Sequence, residues 1–195
     1  MMNNKQSIFT LSLICWCLIS STMAKAACHP DIIKMAPDSR YILSFEEDMA
    51  IVFDKKTNLT WQRCSHAQQW SFINNDCSEL SGFFNAGRWT QALAAPLKLF
   101  HPLDDENVIE QTDWRLPNIK ELASLVETAC ENPAINSDIF PNTHSSRFLS
   151  ATATAPVTIN RVTTIWYVDF TSGLVRGVGF SSGGVVRLVR SNGQP

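Results

Sequence analysis

The stretch Asp113-Trp114-Arg115-Leu116-Pro117-Asn118 sets an acid, an aromatic ring, a guanidinium and an amide within six residues, and Glu121 follows three positions after Asn118. Groups this close could move protons or grip a polar ligand. The same spacing also has a structural reading. Trp114 and Leu116 alternate as core anchors. Pro117 and Asn118 set a helix start, with Asn118 as N-cap and Glu121 completing a capping box. Asp113 and Arg115 then satisfy backbone groups or pair with neighbours. The residue types favour the structural reading, so Asp113, Trp114, Arg115, Asn118 and Glu121 are expected to hold the fold, and no catalytic residue is assigned.

Other chemistries find little support. There is no G-x-S-x-G nucleophile elbow and no H-E-x-x-H zinc motif. His29, His66, His101 and His144 are scattered without the i, i+4 spacing of a metal pair. Asp104-Asp105-Glu106 is a triple acid that could attract calcium, although such runs are ordinarily solvated loops. No other cofactor or metal is expected. The paired carboxylates of a glycosidase are a tertiary arrangement that sequence spacing does not display. The glycine pair Gly183-Gly184 reads as a turn, and no phosphate-cradling loop occurs.

Charge is divided along the chain. Residues 27–140 carry a net charge of −8, and residues 141–195 carry +4. All five cations of the second part are arginines: Arg147, Arg161, Arg176, Arg187 and Arg190. Arginine offers a planar fork that suits sulfate and carboxylate. Arg161 is the first candidate for ligand contact because it sits in a polar, Thr-rich stretch, followed by Arg176 and Arg147. Arg187 and Arg190 are tied to the closing strand and could instead serve internal salt bridges.

These residues need a scaffold. The 195 residues suffice for one domain. With 45% hydrophobic and 17% charged residues, the chain is neither disordered nor fibrous. A formal charge of −2 excludes a generally basic nucleic-acid binder. Residues 1–26 read as a secretory signal: Lys5, an apolar core from Ile8 to Ile19, and Ala24-Lys25-Ala26 before the cut. A membrane role would need this segment to be retained as an anchor. Removal leaves Cys28, Cys64, Cys77 and Cys130, an even number in an exported chain, hence disulfides. Cys64 with Cys77 is the local pair, which leaves Cys28 with Cys130. The destination is the periplasm, the cell surface or the medium.

Residues 27–48 read as an irregular N-terminal extension and 191–195 as a tail. Within 49–190, Met49 to Phe53 and Leu59 to Arg63 predict a hairpin around Asp54-Lys55-Lys56-Thr57-Asn58. Ser65 to Asn75 reads as a loop closed by the Cys64–Cys77 bridge. Trp89, Leu93 and Leu97 predict a helix that Pro96 ends or kinks. The helix opened by Asn118 carries Ile119, Leu122, Ala123 and Val126 on one face, with Pro133 marking its end. Phe148 to Thr152 is a strand, and 164–170, 174–180 and 185–190 predict a C-terminal meander. The fold class is α+β: two helices with antiparallel hairpins and that meander.

Asp54 to Cys64, Trp89 to Leu93, Asp113 to Leu122, Trp166 to Phe170 and Val186 to Arg190 together resemble the Lcl C-terminal domain family. The segment 113–122 is the most specific of these. The resemblance implies a single C-type lectin-like domain over 49–190. It also implies kinship with the ends of bacterial surface adhesins, including collagen-like ones that bind sulfated polysaccharides. Phe148-Leu-Ser-Ala-Thr departs from the family's aromatic-Trp-Ser-Ser-Thr stretch, and no Gly-X-Y tract is present. The resulting expectation is a secreted, non-enzymatic binding module of a bacterial envelope. Its ligand would be an acidic polysaccharide or a protein partner. The rivals are a structural subunit of a surface appendage or secretion assembly, and an enzyme related to formylglycine-generating enzymes, which would require free thiols.

Overall fold

The computed structural model describes residues 25–46, 49–79, 86–98, 113–154 and 164–191. The leader up to residue 24, the triple acid at 104–106, His101 and Arg161 lie outside the described residues. In chain order the strands are β1 (Ala27–Cys28), β2 (Tyr41–Glu46), β3 (Met49–Asp54), β4 (Leu59–Gln62), β5 (Gln68–Ser71) and β6 (Asp76–Glu79). They continue as β7 (Cys130–Glu131), β8 (Arg147–Ala153), β9 (Thr164–Asp169), β10 (Leu174–Gly179) and β11 (Val189–Arg190). The helices are α1 (Trp89–Leu93) and α2 (Ile119–Ala123). Strands dominate an α+β architecture.

Two sheets organise the domain. The larger runs β11-β4-β3-β2 and is antiparallel throughout. The smaller runs β10-β9-β8. Strand β3 is apolar at consecutive positions because both of its faces are covered. Val52, with Trp61 and Val189, enters one core, which also holds Leu122 of α2 and Phe148, Val168 and Phe170 of the small sheet. Ile51 enters a second core with Trp114, Leu116, Leu149, Ile165 and Leu188. The small sheet therefore lies between the two cores, with Phe148 and Leu149 facing opposite ways.

The β3–β4 turn follows from Asp54 and Asn58. The Asp54 carboxylate accepts the Lys56 N–H at 3.0 Å and the Thr57 hydroxyl at 2.6 Å, and Asn58 takes the left-handed conformation at φ 57°. Asp54 also accepts the Arg40 Nε–H at 2.6 Å, in a buried ion pair. Burial alone would raise the Asp54 carboxyl; the Arg40 and Thr57 hydrogen bonds outweigh it and hold the group below the ordinary carboxylate range.

Several expectations need correcting. The segment expected to be irregular over 27–48 is not so throughout: 41–46 form β2, an edge strand of the main sheet, and 27–28 pair with β7. The loop expected at 65–75 contains β5 and most of a hairpin with β6, whose burial rests mainly on Trp70 and Cys77. The helix from Asn118 ends at Ala123, ten residues before Pro133, because the chain turns at Ser124. Leu93 is exposed, and the buried residue of α1 is Ala92. The meander is β8–β9–β10. The closing strand instead crosses to the main sheet and pairs with β4.

Disulfides join Cys64 to Cys77 and Cys28 to Cys130. The second is reinforced by Glu127, only 1% exposed, whose carboxylate accepts the backbone N–H groups of Met35, Ala36 and Ala129. An acid inside an apolar run carries no signal of such a role, and sequence reasoning missed it.

Candidate functional site

The 113–122 segment fastens the closing edge of the main sheet. Arg115 and Val189 exchange backbone hydrogen bonds of 2.9 Å each way. The Arg115 guanidinium donates twice to Glu121, at 2.8 Å and 2.8 Å, and once to the Ser191 hydroxyl at 3.0 Å. Glu121 also accepts the Asn118 N–H at 2.8 Å, while the Asn118 side chain accepts the N–H groups of Lys120 and Glu121. Burial would raise the Glu121 carboxyl; the Arg115 and Asn118 hydrogen bonds override it and lower it. Asp113 lies 3.9 Å from Arg190, whose guanidinium also pairs with Glu46 and covers the Trp114 ring at 4.9 Å. Trp114 and Leu116 are both buried, at 4% exposure. The side chains of Arg115, Asn118 and Glu121 are thus engaged in holding the chain.

The five arginines separate by environment. Arg187 is fully buried and reaches no carboxylate within ion-pair distance among the described residues. Its guanidinium donates to the carbonyls of Gln62 and Arg63 and to the hydroxyls of Ser65 and Thr143, between the rings of Phe140 and Phe148. Burial pushes it down to about 9, so it remains charged at neutral pH. Arg187 and Arg190 are thus parts of the fold.

Arg147 and Arg176 are different. Both are exposed, and neither makes an ion pair among the described residues. Arg147 opens β8 opposite Asp169, and its guanidinium lies 5.9 Å from the Tyr167 ring. Arg176 stands on β10 directly opposite Tyr167. Strand alternation puts Arg147, Tyr167 and Arg176 on the same face of the small sheet. Two exposed guanidinium groups without an ion pair among the described residues thus stand beside a half-buried phenol, with Asp169 on the same face opposite Arg147. Arg161, the first candidate by sequence, lies outside the described residues.

A polar cleft of about 370 Å³ opens elsewhere, between the β5–β6 hairpin and the 133–143 segment. Its groups are mostly consumed internally. Asp76 accepts from the Cys77 N–H and from the Asn142 amide, Arg63 donates to the carbonyls of Asp138 and Ile139, and Asp138 meets Lys25 at 2.8 Å. Among the described residues no three His, Cys, Asp or Glu side chains cluster as a metal site, and the four described cysteines, Cys28, Cys64, Cys77 and Cys130, are in disulfides. His144 pairs with Glu79 at 2.9 Å.

The Lcl C-terminal domain family model matches residues 50–190, from the start of β3 to the end of β11. The chain belongs to the Lcl C-terminal domain family. The match takes in most of both cores, the capping-box motif and the small sheet of this Lcl C-terminal domain. Comparison with curated proteins gives no match, and comparison with solved structures gives none. Strand β2 precedes the matched region yet completes the main sheet.

Proposed function

We propose that this Lcl C-terminal domain is an exported, non-enzymatic binding module that meets an anionic ligand at Arg147 and Arg176, either side of Tyr167. The observation that carries the reading is the sorting of the arginines. Those on the closing strand are used by the fold, while these two stay exposed and make no ion pair among the described residues, although Asp169 stands opposite Arg147 on the same face. Paired guanidinium groups hold carboxylate or sulfate by charge-assisted hydrogen bonds, and an adjacent aromatic adds contact area. The two disulfides and the leader-like N-terminus support export. The C-type lectin-like arrangement implied by the resemblance belongs to the same proposal.

The test is retention on a sulfated polysaccharide column. Wild type is expected to be retained at low salt and released as salt screens the contact. Arg147→Ala combined with Arg176→Ala should elute earlier at every salt concentration. Equal retention of the two proteins would overturn the reading.

A further inference from the structure

Strand β10 is an edge. The small sheet runs β10-β9-β8, and among the described residues nothing pairs with the outer side of β10. Alternate residues along it therefore present backbone N–H and C=O groups outward. Exposed edges are usually blunted by proline, by a bulge or by charged side chains, lysine above all; β10 carries a single charge, Arg176. Here the pairing with β9 is continuous from Leu174 opposite Asp169 to Gly179 opposite Thr164, and the sequence Leu-Val-Arg-Gly-Val-Gly holds no proline. Apolar side chains are also left in solvent: Leu174 is 48% exposed, Val175 43% and, just past the strand, Phe180 53%.

The two glycines of the strand sharpen the point. Neither Gly177 nor Gly179 has a positive φ, and no bulge interrupts the register. A Cβ at Gly177 would meet only Thr164 and the Ile165 carbonyl, at 3.5 Å or more, and one at Gly179 would meet nothing within 4 Å. By contrast, a Cβ on Gly183 would strike the Ala86 carbonyl at 2.5 Å. The fold thus requires Gly183 but neither glycine of β10. A strand glycine without an internal reason marks a place where another backbone comes close. Gly177 lies opposite Trp166, which is half-buried, so the bare shelf has an aromatic wall.

We propose that β10 receives an extended polypeptide segment as an added strand, with an acidic side chain directed to Arg176. This rests on the anionic-ligand reading above and names the ligand's class. Strand addition takes affinity from main-chain hydrogen bonds and specificity from pockets for alternate side chains. β10 supplies the outward backbone groups, the glycine shelf and the exposed aliphatics, and a polysaccharide could neither extend the ladder nor cover Leu174 and Val175. Charge complementarity selects an acidic segment over a second copy of this chain, which would bring a second exposed Arg176 to the joint.

The experiment uses the isotope-labelled full chain and three capped synthetic peptides at millimolar concentration. The parent alternates Val and Thr with one central Asp. The second is the same peptide with alternate backbone nitrogens methylated. The third carries Asn for Asp. The parent is expected to shift the amide resonances of residues 174–179 and slow their hydrogen exchange. Methylation should weaken binding by roughly tenfold, as the loss of a ladder hydrogen bond would, and Asn should weaken it less. Equal binding of the parent and the methylated peptide would overturn strand addition, even with the Asp dependence intact. So would an unperturbed β10 alongside a polysaccharide retained through Arg147 and Arg176, an outcome that spares the anionic-ligand reading. Equal retention of wild type and the double arginine variant on the polysaccharide would remove that reading as well.

Discussion

Arg115 grips Glu121 through two hydrogen bonds of 2.8 Å while its own backbone is bonded to Val189, so one residue ties α2 to the last strand of the main sheet. Glu121→Gln removes the charge from this clasp. Because the Glu121 carboxyl is lowered in the fold, its contribution is fully present above the ordinary carboxylate value of about 4.3 and fades as pH falls through the lowered value. Urea unfolding should therefore show wild type ahead of Glu121→Gln at pH near 7, with the gap closing in acid. A gap that persists unchanged in acid would show that the charge is not what matters.

Asn118→Ala in the same motif should cost about 1 kcal/mol, because the cap serves two backbone N–H groups. Trp114→Ala should cost about 3–5 kcal/mol, since the ring fills a core position beneath Arg190. Denaturant unfolding midpoints measure both.

Removing Asp54 leaves Arg40 buried without its partner. Asp54→Ala should destabilise by about 3–5 kcal/mol. Replacing both residues by apolar ones should recover much of that loss. A double variant as unstable as the single one would assign the cost to the turn hydrogen bonds of Lys56 and Thr57.

Arg187 and Arg176 are the same residue type with opposite expected costs. Arg176→Ala should change stability by no more than about 0.5 kcal/mol, as exposed substitutions do. Arg187→Lys should cost several times as much, because one ammonium cannot replace a planar fork shared among two carbonyls and two hydroxyls. Thermal unfolding of the two variants decides it.

Gly177→Ala should raise stability by about 0.4–1 kcal/mol, through a less flexible unfolded chain and a site with room for the added carbon. A loss of stability would return this glycine to the service of the fold.

What could be read from the sequence was local. The turn at 54–58 and the cap at Asn118 depend on residues within a few positions of each other, and residue type declares them. Strand β2 escaped because Ile42, Leu43 and Phe45 are exposed on an edge, so apolar and polar positions do not alternate cleanly. The β5–β6 hairpin escaped because its strand residues other than Trp70 and Cys77 are polar. The position of β11 beside β4 is a long-range pairing that no window of sequence contains. Arg187 was the hardest: a cation ordinarily signals surface, and only the carbonyls of Gln62 and Arg63 and the hydroxyls of Ser65 and Thr143 make its burial tolerable. The charge asymmetry between 27–140 and 141–195 thus overstated the exposed positive surface.

The Cys28–Cys130 bond closes a covalent ring across a separation of 102 residues. Tension applied between residue 27 and the C-terminal end travels through sulfur to Cys130 and onward, and the backbone from 29 to 129 is bypassed. Strands β2 to β6 and both helices lie inside that shielded ring. For a domain held by one end and pulled by the other, the elements exposed to force are β8 to β11, starting with the short β11 and its Arg190 contacts. A reducing agent would therefore change not only how stable the domain is but also which half of it resists being pulled apart.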